Sequence, residues 1–190
     1  MSQSHKVAIV VGSLRKASVN RKAAEALARL APEHLDLEFV EIGDLPLYDE
    51  DLDAAGAPAP WTRFREEIGA ADAVLFVTPE YNRSVPGVLK NAIDVGSRPY
   101  GQSAWAGKPA AVMTLSPGGI GGFGANHHLR QSLVFLDMPV LQQPEAYIGG
   151  AFDLFDEEGE FKSDDTRAFF QKFADAFADW IARAAPPRQA

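Results

Sequence analysis

The feature that most constrains this chain is a recurrence. Short runs rich in β-branched and other apolar residues are halted by glycine or proline, and each is followed by a stretch with helical spacing. Residues 6–11 (KVAIVV) stop at Gly12, residues 73–78 (AVLFVT) stop at Pro79, and residues 109–115 (PAAVMTL) run into a glycine-rich loop. Runs of this length, apolar at successive positions, suit strands covered on both faces. After the first run, Ala23, Ala26, Leu27 and Leu30 fall on one stripe of a helix over 19–30, which Pro32 prevents from continuing. After the second, a helix is expected beyond Pro86 and Gly87 through Ile93, and after the third from about Asn126 to Phe135.

The remaining segments fit the same scheme. Residues 35–42 alternate apolar and charged positions and leave through Gly43 and Asp44, as a second strand would. Residues 53–60 (DAAGAPAP) read as a loop and residues 61–70 as a helix, while Val140 and its neighbours read as a fifth strand, with residues 147–149 as a continuation. In residues 164–184, Phe169, Phe170, Phe173, Phe177, Trp180 and Ile181 recur at helical spacing and are read as core. Five strands alternating with helices through right-handed crossovers give an α/β three-layer sandwich with a mostly parallel sheet. One domain over residues 1–190 is expected, since 190 residues are few for two.

In such a sheet, ligands bind outside the carboxyl ends of the strands, where strand order reverses. Three loops belong there: residues 12–20 (GSLRKASVN), 79–87 (PEYNRSVPG) and 116–124 (SPGGIGGFG). The first opens a helix and carries Ser13, Arg15, Ser18 and Asn20, a set suited to a terminal phosphate. It lacks the lysine followed by Ser or Thr of a triphosphate-binding loop. An alternative stays open at this level, with Ser18 merely capping the helix and Arg15 and Lys16 lying in water. The second loop places an acid, an aromatic and an amide between two prolines and is suited to line a flat ring; otherwise it is an ordinary turn.

The third loop contains a literal G-x-G-x-x-G at Gly119, Gly121 and Gly124. As a dinucleotide fingerprint it would belong to the first unit of its fold, whereas here it follows three strands, so the glycines are expected to let backbone amides approach a ligand's polar edge. His127 and His128 are adjacent and point apart on a helix, which argues against a shared metal. With no cysteine in the chain, thiolate metal sites, cysteine-held clusters and thiol redox chemistry are all excluded, and redox chemistry would have to be a cofactor's. A formal net charge of -8 argues against nucleic acid as a partner. The apolar run at residues 7–11 is too short for a signal peptide or a membrane span, so a cytoplasmic location is expected.

Together the loops GSLRKASVN, TPEYNRSVPGVLKNAIDV and SPGGIGG, in this order after the first, third and fourth strands, resemble the NADPH-dependent FMN reductase family and its quinone and chromate reductase branch. The likeness spans residues 7–145. It implies a flavodoxin-like fold of strand order 2-1-3-4-5, FMN as cofactor and NADPH or NADH as donor. It further implies a small-molecule acceptor such as a quinone, with azo dyes, ferric complexes or chromate as further acceptors, and a ping-pong hydride transfer. By the same resemblance Ser13, Arg15, Ser18 and Asn20 hold the FMN phosphate with Val19 supplying backbone. Pro79, Glu80, Tyr81 and Asn82 border the isoalloxazine, and Ser116, Gly118 and Gly119 its pyrimidine edge. No side chain is implied as acid or base. Relatives are dimers or tetramers in which the PEYN loop and the QPE stretch lie near subunit contacts. Arg83 stands where relatives often carry an aromatic and Gly124 where some carry a larger residue, so a polar network of Arg83, His127 and Glu145 is expected there. An electron carrier serving a protein partner and a Rossmann-type dehydrogenase are the alternatives.

Overall fold

The apolar runs do pair as the recurrence predicts. In the computed structural model, which describes residues 4–185, β1 (His5–Val11), β2 (Leu35–Val40), β3 (Ala73–Thr78), β4 (Ala110–Leu115) and β5 (Ala146–Ile148) form one parallel sheet of order β2-β1-β3-β4-β5. Residues 1–3 and 186–190 of the expected domain lie outside the described residues. Register follows the hydrophobic pattern, with Val7 opposite Leu37 and Ala73, Val74 opposite Ala110, and Met113 opposite Ala146. The fold is α/β and flavodoxin-like, and its strand order reverses between β1 and β3.

The described residues hold six helices, α1 (Val19–Leu30), α2 (Glu50–Gly56), α3 (Ala59–Ala70), α4 (Gly87–Gly96), α5 (Phe123–Phe135) and α6 (Asp164–Ala184), of which all but the exposed α2 bury residues against the sheet. On one face α1 and α6 pack Ala23, Leu27, Phe170, Phe173 and Phe177 against Val7, Ile9, Leu75 and Met113. Phe170, Phe173 and Phe177 of α6 are therefore core, as their spacing predicts, and Phe169 and Trp180 are partly buried against it. On the other face Trp61, Phe64, Leu89, Trp105, Leu129 and Leu133 pack against Val10, Val74, Phe76 and Val112. Each such side chain taken out of water contributes about 1.5–3 kcal/mol.

Three local expectations are corrected. Residues 53–60 are not a loop throughout: α2 occupies Glu50–Gly56, capped by Asp49, which accepts from the amides of Asp51 and Leu52. Acids at Glu50, Asp51 and Asp53 complement the positive end of that helix. The fifth strand is Ala146–Ile148, which overlaps the expected continuation at residues 147–149, whereas Val140 makes a single bridge to Ala110. A buried network decides where the fifth strand pairs. Asn126 Nδ2 donates to Thr114 Oγ1 (3.4 Å) and to the Ala146 carbonyl (3.5 Å), and Arg130 Nε donates to Asn126 Oδ1 at 2.8 Å. Finally, α5 begins at Phe123, three residues before the expected start, because Gly122 at φ 80 supplies the left-handed cap that a bulkier residue resists.

Candidate functional site

The carboxyl end of β1 is shaped by Gly12. Its amide donates to the Val77 carbonyl at 2.9 Å, and a Cβ at this position would run into Thr78 Oγ1. With the side chain absent, the chain leaves the sheet close to β3 and turns into α1. Ser18 caps that helix, its hydroxyl accepting from the Arg21 amide at 3.2 Å. The amides of Ser18, Val19 and Asn20 precede the first carbonyl that a helix can offer and have no intrahelical acceptor. So Ser18 is a cap, as the plain alternative holds, and the loop is at the same time a cluster of outward-facing donors.

The turn after β3 is a two-residue hairpin. Tyr81 and Ser84 exchange amide-to-carbonyl hydrogen bonds of 2.9 Å each way across Asn82 (φ 51) and Arg83 (φ 64). Both central residues are left-handed, the form of a type I′ turn. Asparagine tolerates that conformation and arginine does so less readily. Glu80 holds the turn against α5: its Oε2 accepts from the Ala125 amide at 3.0 Å and its Oε1 from Arg83 Nη1 at 3.1 Å. A carboxylate at a helix N-terminus is favoured by the helix dipole. Gly124 permits this approach, since a Cβ there would lie 2.9 Å from both Glu80 Oε2 and the Arg83 carbonyl.

The glycines of the third loop answer to packing. A Cβ on Gly121 (φ 66) would collide with the Tyr147 backbone, and one on Gly122 would lie 2.9 Å from Thr114 Cβ. None of this is a dinucleotide fingerprint. Gly118 donates to Ser116 Oγ at 3.2 Å, and Gly119 has open space around it.

These three loops meet in one cleft of about 250 Å³, lined by Ser13, Arg15, Ser18, Val19, Asn20, Pro79, Glu80, Tyr81, Leu115, Ser116, Pro117 and Phe152. Nine of the twelve residues singled out from the sequence are on its wall, whereas Asn82, Gly118 and Gly119 are outside that lining. Phe152 comes from a single 3-10 turn, Ala151–Asp153, that no sequence pattern marked, and it is 62% exposed. With Tyr81, 49% exposed, it gives the cleft's lining two exposed aromatic rings. One wall atom is anomalous: Asn20 is 4% exposed, and its Oδ1 is buried with no hydrogen-bond partner. A buried acceptor left without a donor is costly, about 1–3 kcal/mol, and such atoms call for an explanation. A ligand bearing hydroxyls and an anionic terminus fits this wall, the hydroxyl meeting Asn20 and the anion meeting the loop amides and Arg15.

The polar network expected of Arg83, His127 and Glu145 forms differently within the chain. Arg83 pairs with Glu80, while Tyr147 joins the other two: its hydroxyl is 3.1 Å from His127 Nε2, and burial followed by a hydrogen bond to Glu145 pushes its phenol up to about 12. His127 lies tilted against Phe123 with ring centroids 4.2 Å apart, and His128 turns to Ser84, 3.0 Å away, so the two histidines diverge as predicted.

Residues 5–153 match the family described as NADPH-dependent FMN reductase. The chain belongs to that family. It is an NAD(P)H-dependent flavin oxidoreductase with FMN as its cofactor, and the fold, the phosphate-suited loop and the ligand-hungry wall agree with that. The chain is 69% identical to a quinone reductase of Pseudomonas putida over 95% of its length and 97% of that protein's. It is 49% identical to a 2-hydroxy-1,4-benzoquinone reductase of a Burkholderia species over 93% and 96% of the two chains. Among solved structures it superposes on the flavoenzyme NAD(P)H:(acceptor) oxidoreductase of Paracoccus denitrificans with a TM-score of 0.91 and 45% identity, covering 96% of this chain and 100% of that one. No helix among the described residues is long and apolar enough to cross a membrane.

Proposed function

We propose that this flavoenzyme reduces quinones, with FMN seated in the cleft formed by the loops after β1, β3 and β4. The observation that carries the reading is the convergence of those loops on one cleft that sets Ser13, Arg15, Ser18 and Asn20 beside the exposed rings of Tyr81 and Phe152. The resemblance to two proteins named as quinone and benzoquinone reductases supports the choice of acceptor.

In this reading Ser13, Arg15 and Ser18, with the amides of Val19 and Asn20, hold the phosphate, and Asn20 Oδ1 accepts from the ribityl chain. Pro79, Glu80, Tyr81 and Asn82 border the ring system, and Ser116, Gly118 and Gly119 border its pyrimidine edge. When bound, FMN supplies hydride acceptance and return at N5; the chain supplies orientation, hydrogen bonding and access. Tyr81 and Phe152 offer planar surface to a planar acceptor at the mouth, and donor and acceptor use that opening in turn. No side chain is assigned as acid or base. Pairing of two or more chains is part of the reading. It is supported by Tyr100, Val134 and Phe135, which stand 87%, 75% and 80% exposed on the α4 and α5 side.

The test is anaerobic stopped-flow absorbance of the FMN-loaded protein. NADPH alone should bleach the flavin band in a single turnover. A following mix with benzoquinone should restore it with hydroquinone formed in equal amount, and steady-state rates should give parallel double-reciprocal lines. Reduction by NADPH without reoxidation by free quinone would sink the reading and favour an electron carrier. Azo dyes, ferric citrate and chromate belong in the same assay as further acceptors.

A further inference from the structure

A second cleft, of about 210 Å³, opens on the other side of the 12–20 loop at the carboxyl ends of β1 and β2. It shares Ser13 and Arg15 with the first cleft and adds Arg21 from α1 and Val40, Glu41 and Ile42 from the end of β2. Arg21, Val40, Glu41 and Ile42 are outside the lining of the first cleft.

Its cations stand out in a chain of net charge -8. Arg63, Arg65 and Arg130 spend terminal nitrogens on carboxylates or carbonyls. Arg15 makes no ion pair or hydrogen bond among the described residues. Arg21 is held by its near end: its guanidinium carbon lies 3.7 Å over the Phe39 ring, and its Nε donates to Glu25 at 2.9 Å. Those two contacts orient the plane and leave both terminal nitrogens without an acceptor among the described residues. A guanidinium so held is preorganised for a planar two-point contact with phosphate. The one acid on the wall, Glu41, is drawn into its own turn, where its Oε1 accepts from the Gly43 amide at 2.6 Å. Arg15 and Arg21, the latter ion-paired with Glu25 through Nε alone, therefore face one partly engaged anion on this wall.

We propose that this cleft is the subsite for a phosphate of the nicotinamide donor, with Arg21 as the residue that determines how tightly that phosphate is held. The proposal rests on the reading that FMN fills the neighbouring cleft. Arg15, on the shared wall, would lie between the two phosphates.

The test is Arg21→Gln, which keeps much of the side chain and a donor but removes the charge, examined as the FMN-loaded protein beside Arg21→Lys. The Michaelis constant for NADPH should rise about tenfold to a hundredfold in Arg21→Gln, as loss of a charge-assisted contact implies, with kcat and FMN affinity unchanged. Arg21→Lys should recover part of the loss. Calorimetry with adenosine 2′,5′-bisphosphate, which needs no turnover, should show binding to the wild type weakened by a similar factor in Arg21→Gln. A rise confined to NADPH assigns the 2′-phosphate to the subsite, and an equal rise for NADH assigns the diphosphate; either supports the proposal. Unchanged constants for both donors overturn it. So does a loss of FMN affinity, which would place Arg21 at the first cleft. If the FMN reading itself is wrong, that appears separately, as unchanged FMN affinity in Arg15→Ala.

Discussion

Asn20→Leu should move the stability of the apoprotein and its affinity for FMN in opposite directions. In the folded chain the Asn20 amide is 4% exposed and its Oδ1 has no partner, so the apoprotein carries a desolvated acceptor worth about 1–3 kcal/mol. Leucine keeps the branched heavy-atom skeleton of asparagine with bulkier ends and favours a helix more, so it removes the orphan without opening a void. At about 2–4 °C per kcal/mol for a chain of this size, the apoprotein's Tm should rise by about 2–12 °C. The cofactor hydroxyl that would have met Oδ1 is then itself buried without a partner. The same 1–3 kcal/mol on the other side of the balance weakens FMN binding by about fivefold to 150-fold. Differential scanning calorimetry of the apoprotein and a fluorescence titration with FMN measure the two quantities on one preparation. A fall in apoprotein Tm, or an unchanged FMN dissociation constant, would refute the reasoning: the first would mean the amide is satisfied without ligand, the second that FMN does not reach it.

Arg15→Ala should weaken FMN binding by about tenfold to more than a hundredfold, the loss expected for a charge-assisted hydrogen bond of about 1.5–3 kcal/mol, while circular dichroism stays that of the wild type. Unchanged affinity in the titration would make Arg15 a solvated charge. The Tyr147 phenol should titrate at about 12, read as the phenolate absorbance of wild type minus Tyr147→Phe, and Glu145→Gln should bring it down toward the ordinary value of about 10. Because the folded value is raised, the stability linked to this proton is fully present below about pH 10 and is lost as pH rises through about 12. A midpoint near 10 in the wild type would mean that neither burial nor Glu145 acts on the phenol.

Much of this was legible from order along the chain. β1, β3 and β4 are apolar at successive positions and are buried throughout or nearly so, which only a doubly covered sheet allows. Where local signals compete, reading fails: the alanine, glycine and proline of residues 53–60 obscured α2, although Asp49 and the acids after it are an N-terminal signature that a search for caps would have found. The three-residue β5 is too short to carry a period, and a buried hydrogen-bond network between Asn126, Thr114 and Ala146 sets its position instead.

By itself the sequence determined the layers and the three loops at the carboxyl edge, because periodicity, punctuation by glycine and proline, and chain order are local properties; the strand order was implied by the family resemblance and is seen in the sheet itself. Only the tertiary structure decided what those loops do to one another. Phe152 reaches the cleft from a turn with no pattern of its own, the glycines of the third loop prove to be spacers against Tyr147 and Thr114, and Arg83 turns to Glu80. The orphaned Asn20 oxygen and the paired openings on either side of Arg15 likewise depend on which residues distant in sequence crowd the same few ångströms. Burial and the absence of a partner are properties of that crowding, and no single stretch of chain contains them.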